Sequence, residues 1–149
     1  MKIALGCDHG GITIKPAVEK VLKENGIEII DFGCFDSSSV DYPDYALKVA
    51  EAVSQGKADK GIVLCGTGIG ISIAANKVKG IRAAVCHDLF TAQMCAQHND
   101  ANIIAMGGRV VSEELAEEMT KVWLNTPFEG GRHTGRVGKI TAIENKYFK

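Results

Sequence analysis

Apolar and polar positions follow two alternating rhythms along the chain. Short runs such as Ile3-Ala4-Leu5, Ile29-Ile30 and Ile62-Val63-Leu64 are separated by longer stretches in which apolar residues return every three or four positions. The first rhythm marks strands and the second amphipathic helices. The expected strands are Lys2–Cys7, Ile27–Phe32, Gly61–Cys65, Ile81–Cys86 and Asn102–Met106. Between them lie helices: one with the stripe Ile14, Ala17, Val18, Val21 and Leu22, then Tyr45–Val53, Ile71–Lys77 and Leu89–Ala96. Pro16 falls early in the first helix, where the missing N–H is tolerated, and Asn25-Gly26 stops it. After the last strand, Ser112–Leu124 reads as a helix with Ser112 as N-cap and Leu115, Met119, Val122 and Trp123 facing inward. Steady strand–helix alternation implies an α/β fold: a three-layer αβα, Rossmann-like arrangement around a five-stranded parallel sheet covered on both faces.

Two stretches break the rhythm. Gly33 to Asp44 is polar, with Ser37-Ser38-Ser39 and Asp41-Tyr42-Pro43-Asp44, and reads as a solvated loop ending in a helix cap and long enough to wall a pocket. After Pro127, glycines surround Arg132, His133 and Arg136, of which Arg132 and Arg136 would share one face if the segment were helical. A final amphipathic pattern runs through Ile140, Ile143 and Tyr147. With no further strand to cover, that terminal helix is expected to pack on a partner subunit.

With 149 residues, 46% of them apolar, and a formal net charge of −1, the chain suits one domain spanning 1–149. The near-neutral balance, without a Lys/Arg run, excludes nucleic acid or an anionic membrane as the main partner and leaves small molecules. The apolar start is too short for a signal peptide, and nowhere do roughly 18 apolar residues run together, so a cytoplasmic location is expected. Five cysteines without a C-x-x-C pair point to reduced thiols. Cys7-Asp8-His9 and Cys86-His87-Asp88 contain metal-ligating types, but neighbours on a strand point to opposite faces, so no metal site is expected.

Cys65 carries the strongest chemical signal. It ends an apolar strand and opens into Gly66-Thr67-Gly68-Ile69-Gly70 before a helix. Glycines let the backbone approach a ligand, and the amides at a helix start favour an anion, whether a bound oxyanion or a thiolate. Cys7, Cys34, Cys86 and Cys95 read instead as small core residues. A nucleotide phosphate loop would need Lys and then Ser or Thr where Ile71-Ser72 stand, and the dinucleotide fingerprint would need a glycine at Ile71. A cysteine phosphatase resembles Cys, five residues, then Arg, and that arginine is also missing at Ile71.

Ligands of open α/β sheets gather beyond the carboxyl ends of strands. Asp8-His9-Gly10-Gly11, Cys65-Gly66-Thr67-Gly68, His87-Asp88 and Gly107-Gly108-Arg109 fall there, giving one rim a thiol, imidazoles, carboxylates and a guanidinium. These segments, with Asp41-Tyr42-Pro43-Asp44, Ala74-Ala75-Asn76-Lys77, His98-Asn99-Asp100-Ala101-Asn102 and Arg132-His133 with Arg136, resemble the type B ribose-5-phosphate isomerase family over essentially the whole chain. Near relatives in that family act on allose or galactose 6-phosphate, and another branch resembles this one but carries a glutamate base at the position of Ile71.

The resemblance implies cofactor-free interconversion of ribose 5-phosphate and ribulose 5-phosphate, in a homodimer, or a dimer of dimers, whose active sites combine both subunits. It casts Cys65 as the base that moves a proton between C1 and C2 through a cis-enediolate. Thr67 would relay a hydrogen bond, and His98 would open the furanose ring. Gly66, Gly68, Ile69 and Gly70 would supply amides to the charged oxygen. Asp8 and Asn99 would hold sugar hydroxyls, and His9, Arg109, Arg132 and Arg136 the phosphate. Read on their own, Asp8 could cap the first helix, Thr67 could satisfy its own loop, and His98-Asn99-Asp100 could end a helix. A non-catalytic sugar-phosphate sensor would keep the anion site but have no need of Cys65 or His98.

Overall fold

A computed structural model describes residues 1–149. The expected alternation appears as β1 (Lys2–Cys7), α1 (Lys15–Glu24), β2 (Glu28–Asp31), α2 (Tyr42–Ser54), β3 (Lys60–Cys65), α3 (Ile69–Ala75), β4 (Ala83–Val85), α4 (Leu89–Gln97), β5 (Ile103–Gly107), α5 (Glu113–Asn125) and α6 (Arg132–Tyr147). All strands are parallel, in the order β2-β1-β3-β5-β4. The chain reverses its direction of travel across the sheet between β1 and β3, the place where doubly wound folds bind ligands.

The period of two along each strand divides the core. Ile3, Leu5, Cys7, Ile62, Leu64, Ile104 and Met106 pack with residues of α1, α4 and α5, including Trp123. Ala4, Val63, Cys65, Ile103 and Ala105 pack with α2 and α3. The second face is built from small residues, so α2 sits close: a Cβ added at Gly6 would stand 2.8 Å from Val49 Cγ2, and one at Gly61 2.6 Å from Val49 Cγ1. Edge strand β4 is shorter than expected: ahead of it Arg82 N–H donates to the Asn102 side chain at 2.8 Å, and on its outer side Asn76 holds both backbone groups of Ala83, accepting from its N–H at 2.8 Å and donating to its carbonyl at 2.9 Å. A side chain thus occupies the edge where another strand could pair.

Helix boundaries depart from expectation where Pro and Gly intervene. Helix α2 begins at Tyr42, with Pro43 in its first turn, so Asp44 lies inside the helix rather than capping it. Helix α3 starts two residues earlier than Ile71, directly after Gly68. Helix α6 forms in spite of Gly135 and Gly138, each unfavourable by about 1 kcal/mol. It is held at its start by buried His133 and near its end by Glu144, which accepts from Gly80 N–H at 2.7 Å. Ser112 caps α5 as expected, accepting from Leu115 N–H at 3.1 Å. No helix is long and apolar enough to cross a membrane.

Replacing Gly61 by Ala forces a methyl group between Val49 and Ile103. The expected loss is about 1–3 kcal/mol, seen as a lower urea midpoint, the usual cost of overpacking a dense core. An unchanged midpoint would show that α2 lifts freely.

Candidate active site

Because β1, β3 and β5 are adjacent, the loops leaving their carboxyl ends are forced together. Main-chain bonds lock them: Asp8 N–H donates to Leu64 O at 3.0 Å, Gly108 N–H to Cys65 O at 2.8 Å, and Arg109 N–H to Gly66 O at 2.9 Å. Only glycine permits this approach. A Cβ on Gly10 would stand 2.9 Å from Gly66 N, and one on Gly66 would stand 2.9 Å from Arg109 Nη1, so the Arg109 guanidinium lies over the first peptide after the thiol.

Cys65 ends the central strand with 4% exposure, in the apolar cluster that contains Ile71 and Ala105. Its sulfur nevertheless faces the loop, where Sγ accepts from Gly68 N–H at 3.1 Å. Gly68 makes that turn with φ +81°. Cys65 lines none of the five principal cavities of the single chain.

Around it, Asp8 is buried and its Oδ1 accepts from Gly10 N–H at 2.8 Å and Gly11 N–H at 3.1 Å, shaping the turn. It does not cap α1, whose N-cap is Ile14. Its observed bonds all use Oδ1, so Oδ2 keeps its lone pairs. His9 Nδ1 accepts from Val40 N–H at 3.2 Å, which leaves Nε2 as the donor of the neutral ring. Thr67 Oγ1 accepts from Ile69 N–H at 3.1 Å, a bond internal to the loop that leaves the hydroxyl proton free to be donated. Asp88 is structural: it caps α4, accepting from Thr91 N–H at 2.7 Å.

His98 is held elsewhere. A helix that follows a parallel strand returns the chain to the edge where the next strand begins, so the end of α4, and His98 with it, lies at the amino edge of the sheet. Glu129 N–H donates to Gln97 O at 3.0 Å and fastens the start of α6 to the same place. There the rings of His98 and His133 stack, with centroids 4.1 Å apart and planes 11° apart. Their Nε2 atoms lie 3.6 Å and 3.8 Å from Glu129 Oε2, which also accepts from Gln97 Nε2 at 2.9 Å. That amide bond, with help from both imidazoles and Arg132, holds the Glu129 carboxyl below the usual carboxylate range. Burial, reinforced by His98, pushes the His133 imidazole down, and its Nε2 has no hydrogen-bond partner.

Two chemically furnished clusters on an αβα sheet, one with a loop-bound thiol and one with paired imidazoles and arginines, set the terms for comparison with known proteins. The family model described as Ribose/Galactose Isomerase matches residues 3–140. The Escherichia coli protein named ribose-5-phosphate isomerase B is 53% identical over 145 residues, covering 97% of both chains. A structure of Clostridium thermocellum ribose-5-phosphate isomerase B superposes with TM-score 0.96 at 58% identity and covers 99% of each chain. Another, of the Mycoplasma genitalium ribose-5-phosphate isomerase B with bound ribulose-5-phosphate, has TM-score 0.92 at 37% identity over 97% of each chain. The chain belongs to the ribose/galactose isomerase family.

In this ribose/galactose isomerase family member the residues singled out from sequence fall into two groups. Asp8, His9, Cys65, Gly66, Thr67, Gly68, Ile69, Gly70 and Arg109 belong to the carboxyl-edge loops. His98, Asn99, Arg132 and Arg136 belong to the amino edge, where Asn99 lines a cavity of about 250 Å³ with Arg82 and Ile140. Three further side chains, none assigned a role from sequence, stand against these groups. Tyr42 roofs the glycine loop, since a Cβ on Gly70 would meet its Cζ at 2.6 Å. Glu129 and His133 complete the amino-edge cluster, and their spacing of one helical turn was the available signal.

The neighbouring thiols of this family member are core residues. Cys7 Sγ lies 3.7 Å from Cys34 Sγ, and burial together with Cys34 pushes the Cys7 thiol up to about 12. A thiol so raised stays protonated, so iodoacetamide at about pH 8 should spare Cys7 in the folded protein and label it once unfolded. Peptide mass mapping reads the difference, and labelling of the native state would contradict it.

Proposed function

We propose that this protein is an aldose–ketose isomerase that interconverts D-ribose 5-phosphate and D-ribulose 5-phosphate. The observation that carries the reading is the Cys65 sulfur, tied to a glycine-loop amide at the carboxyl end of the central strand of a fold whose named relatives catalyse this reaction. In the proposed mechanism Cys65, as thiolate, takes the proton from C2 of the opened aldose and returns it to C1, while a hydroxyl proton passes from O2 to O1. Loop amides from Gly66 to Gly70 stabilise the oxygen that gains charge in the enediolate. Thr67 adds a hydrogen bond there. His98 moves a proton from the anomeric hydroxyl to the ring oxygen and so opens the furanose. Asp8 Oδ2 and Asn99 hold sugar hydroxyls, and His9, Arg109, Arg132 and Arg136 hold the phosphate. Only protons move, so no electron carrier is required.

We further infer a homodimer in which the amino-edge cluster of one copy covers the carboxyl-edge cluster of the other. Two observations support it. Cys65 and His98 lie at opposite edges of the sheet within a chain, and α6 buries only His133 while Ile140, Ile143 and Tyr147 stay exposed. In that assembly the second copy would close over the loop that carries Cys65. Residues 1–149 would act as one cytoplasmic catalytic domain.

Cys65→Ala should lower turnover of ribose 5-phosphate by at least about 10²–10⁴-fold and abolish uptake of solvent deuterium, while inorganic phosphate still binds. Deuterium uptake by the variant would place the base elsewhere. Shared sites make a second outcome readable. Equal amounts of Cys65→Ala and His98→Asn chains, each inactive alone, should regain about a quarter of wild-type activity after co-refolding, because random pairing leaves one intact site in half of the dimers. No recovery would show that each site is built within one chain.

A further inference from the structure

We propose that His98, Glu129 and His133 form a site for a divalent transition-metal ion of the Zn²⁺ type, and that an ion held there inhibits the enzyme. The three side chains offer two imidazole nitrogens and a carboxylate oxygen, with all donor atoms within 4.8 Å of one another. This His₂Glu set, with a fourth position left to water, suits Zn²⁺ and its neighbours in the first transition series. An independent observation points the same way: His133 is 5% exposed, and its Nε2 is buried without any hydrogen-bond partner while facing the carboxylate.

Direct bonding does not account for the arrangement. The gaps of 3.6 Å and 3.8 Å to Glu129 Oε2 exceed the N–H···O range of about 2.7–3.2 Å. They come close to the donor spacing of about 3.3–3.4 Å that follows from metal bonds of about 2.0–2.1 Å around a tetrahedral ion. The rings are stacked with planes 11° apart, so ligation requires the half-buried His98 ring to rotate off His133 until both in-plane lone pairs meet at one point. In the single chain the Glu129 and His98 side chains are 50% and 33% exposed, and in the proposed dimer an ion reaches them by the same route as the substrate. Gln97, which donates to Glu129 Oε2 at 2.9 Å, supplies the orienting bond that ligating carboxylates usually have. Arg132 and Arg136 on the same helix oppose a dication and hold the affinity below that of a dedicated structural site.

An ion on His98 Nε2 takes the lone pair that proton transfer needs. The inhibitory half of the proposal therefore rests on the ring-opening reading of His98, whereas the binding half does not. Co²⁺ serves as the probe for the wild-type protein and for Glu129→Gln, His133→Ala and Cys65→Ser. Expected are one Co²⁺ per chain with visible d–d absorption, retained in Cys65→Ser and weakened at least about tenfold in the other two, a loss that second-shell changes alone can reach. Glu129 is half-exposed, so its variant tests the site even if His133→Ala fails to fold. Uptake unchanged by Glu129→Gln, or a thiolate-to-cobalt charge-transfer band that vanishes in Cys65→Ser, would overturn the site. Zn²⁺ added to wild type should slow ribose 5-phosphate turnover, with the sensitivity lost in Glu129→Gln. Binding without inhibition would uphold the site and remove His98 from ring opening.

Discussion

A parallel strand and the helix that follows it form a return journey, and that single constraint distributes the chemistry of this protein. Whatever follows a strand emerges at the carboxyl edge, and whatever ends a helix emerges at the amino edge. Cys65 belongs to the first class and His98 to the second. No loop adjustment of ordinary length exchanges them. The proposed reaction, with Cys65 as carbon base and His98 as ring opener, would therefore need two copies, and α6 leaves Ile140, Ile143 and Tyr147 exposed.

The carboxyl edge shows how backbone geometry can furnish a site before any side chain is considered. Three adjacent strands deliver three loops that interlock through glycine contacts and through carbonyls of Leu64, Cys65 and Gly66. Interlocking fixes the thiol, the Asp8 turn and the Arg109 guanidinium relative to one another on rigid elements, which is the precision that catalysis by positioning demands. The price appears as burial, since Cys65 is closed in on the sides that the chain itself supplies.

Much of this was legible because strands 1, 3 and 5 are buried on both faces and so read as continuous apolar runs. Residues after each strand identified the carboxyl-edge cluster without further information. Misreadings came from residues whose local preference is overruled. Pro43 looked like loop chemistry and starts α2, and Gly135, which weakened the helical reading between Arg132 and Arg136, lies within α6, whose two ends are anchored to the rest of the fold. For Asp8 the alternative of capping the first helix falls away, since its Oδ1 serves its own turn. The stacking of His98 on His133 could not be foreseen, because it depends on how the segment after α5 folds back over the end of α4.

The bare strand positions Gly6 and Gly61 have an influence beyond core density. They let Val49 settle onto the sheet and thereby set the height of α2, whose first residue, Tyr42, lies against Gly70. The position of Tyr42 over the glycine loop is thus governed from beneath, by two absent side chains on neighbouring strands. A bulkier residue at either position would lift α2, and Tyr42 with it, off the glycine loop.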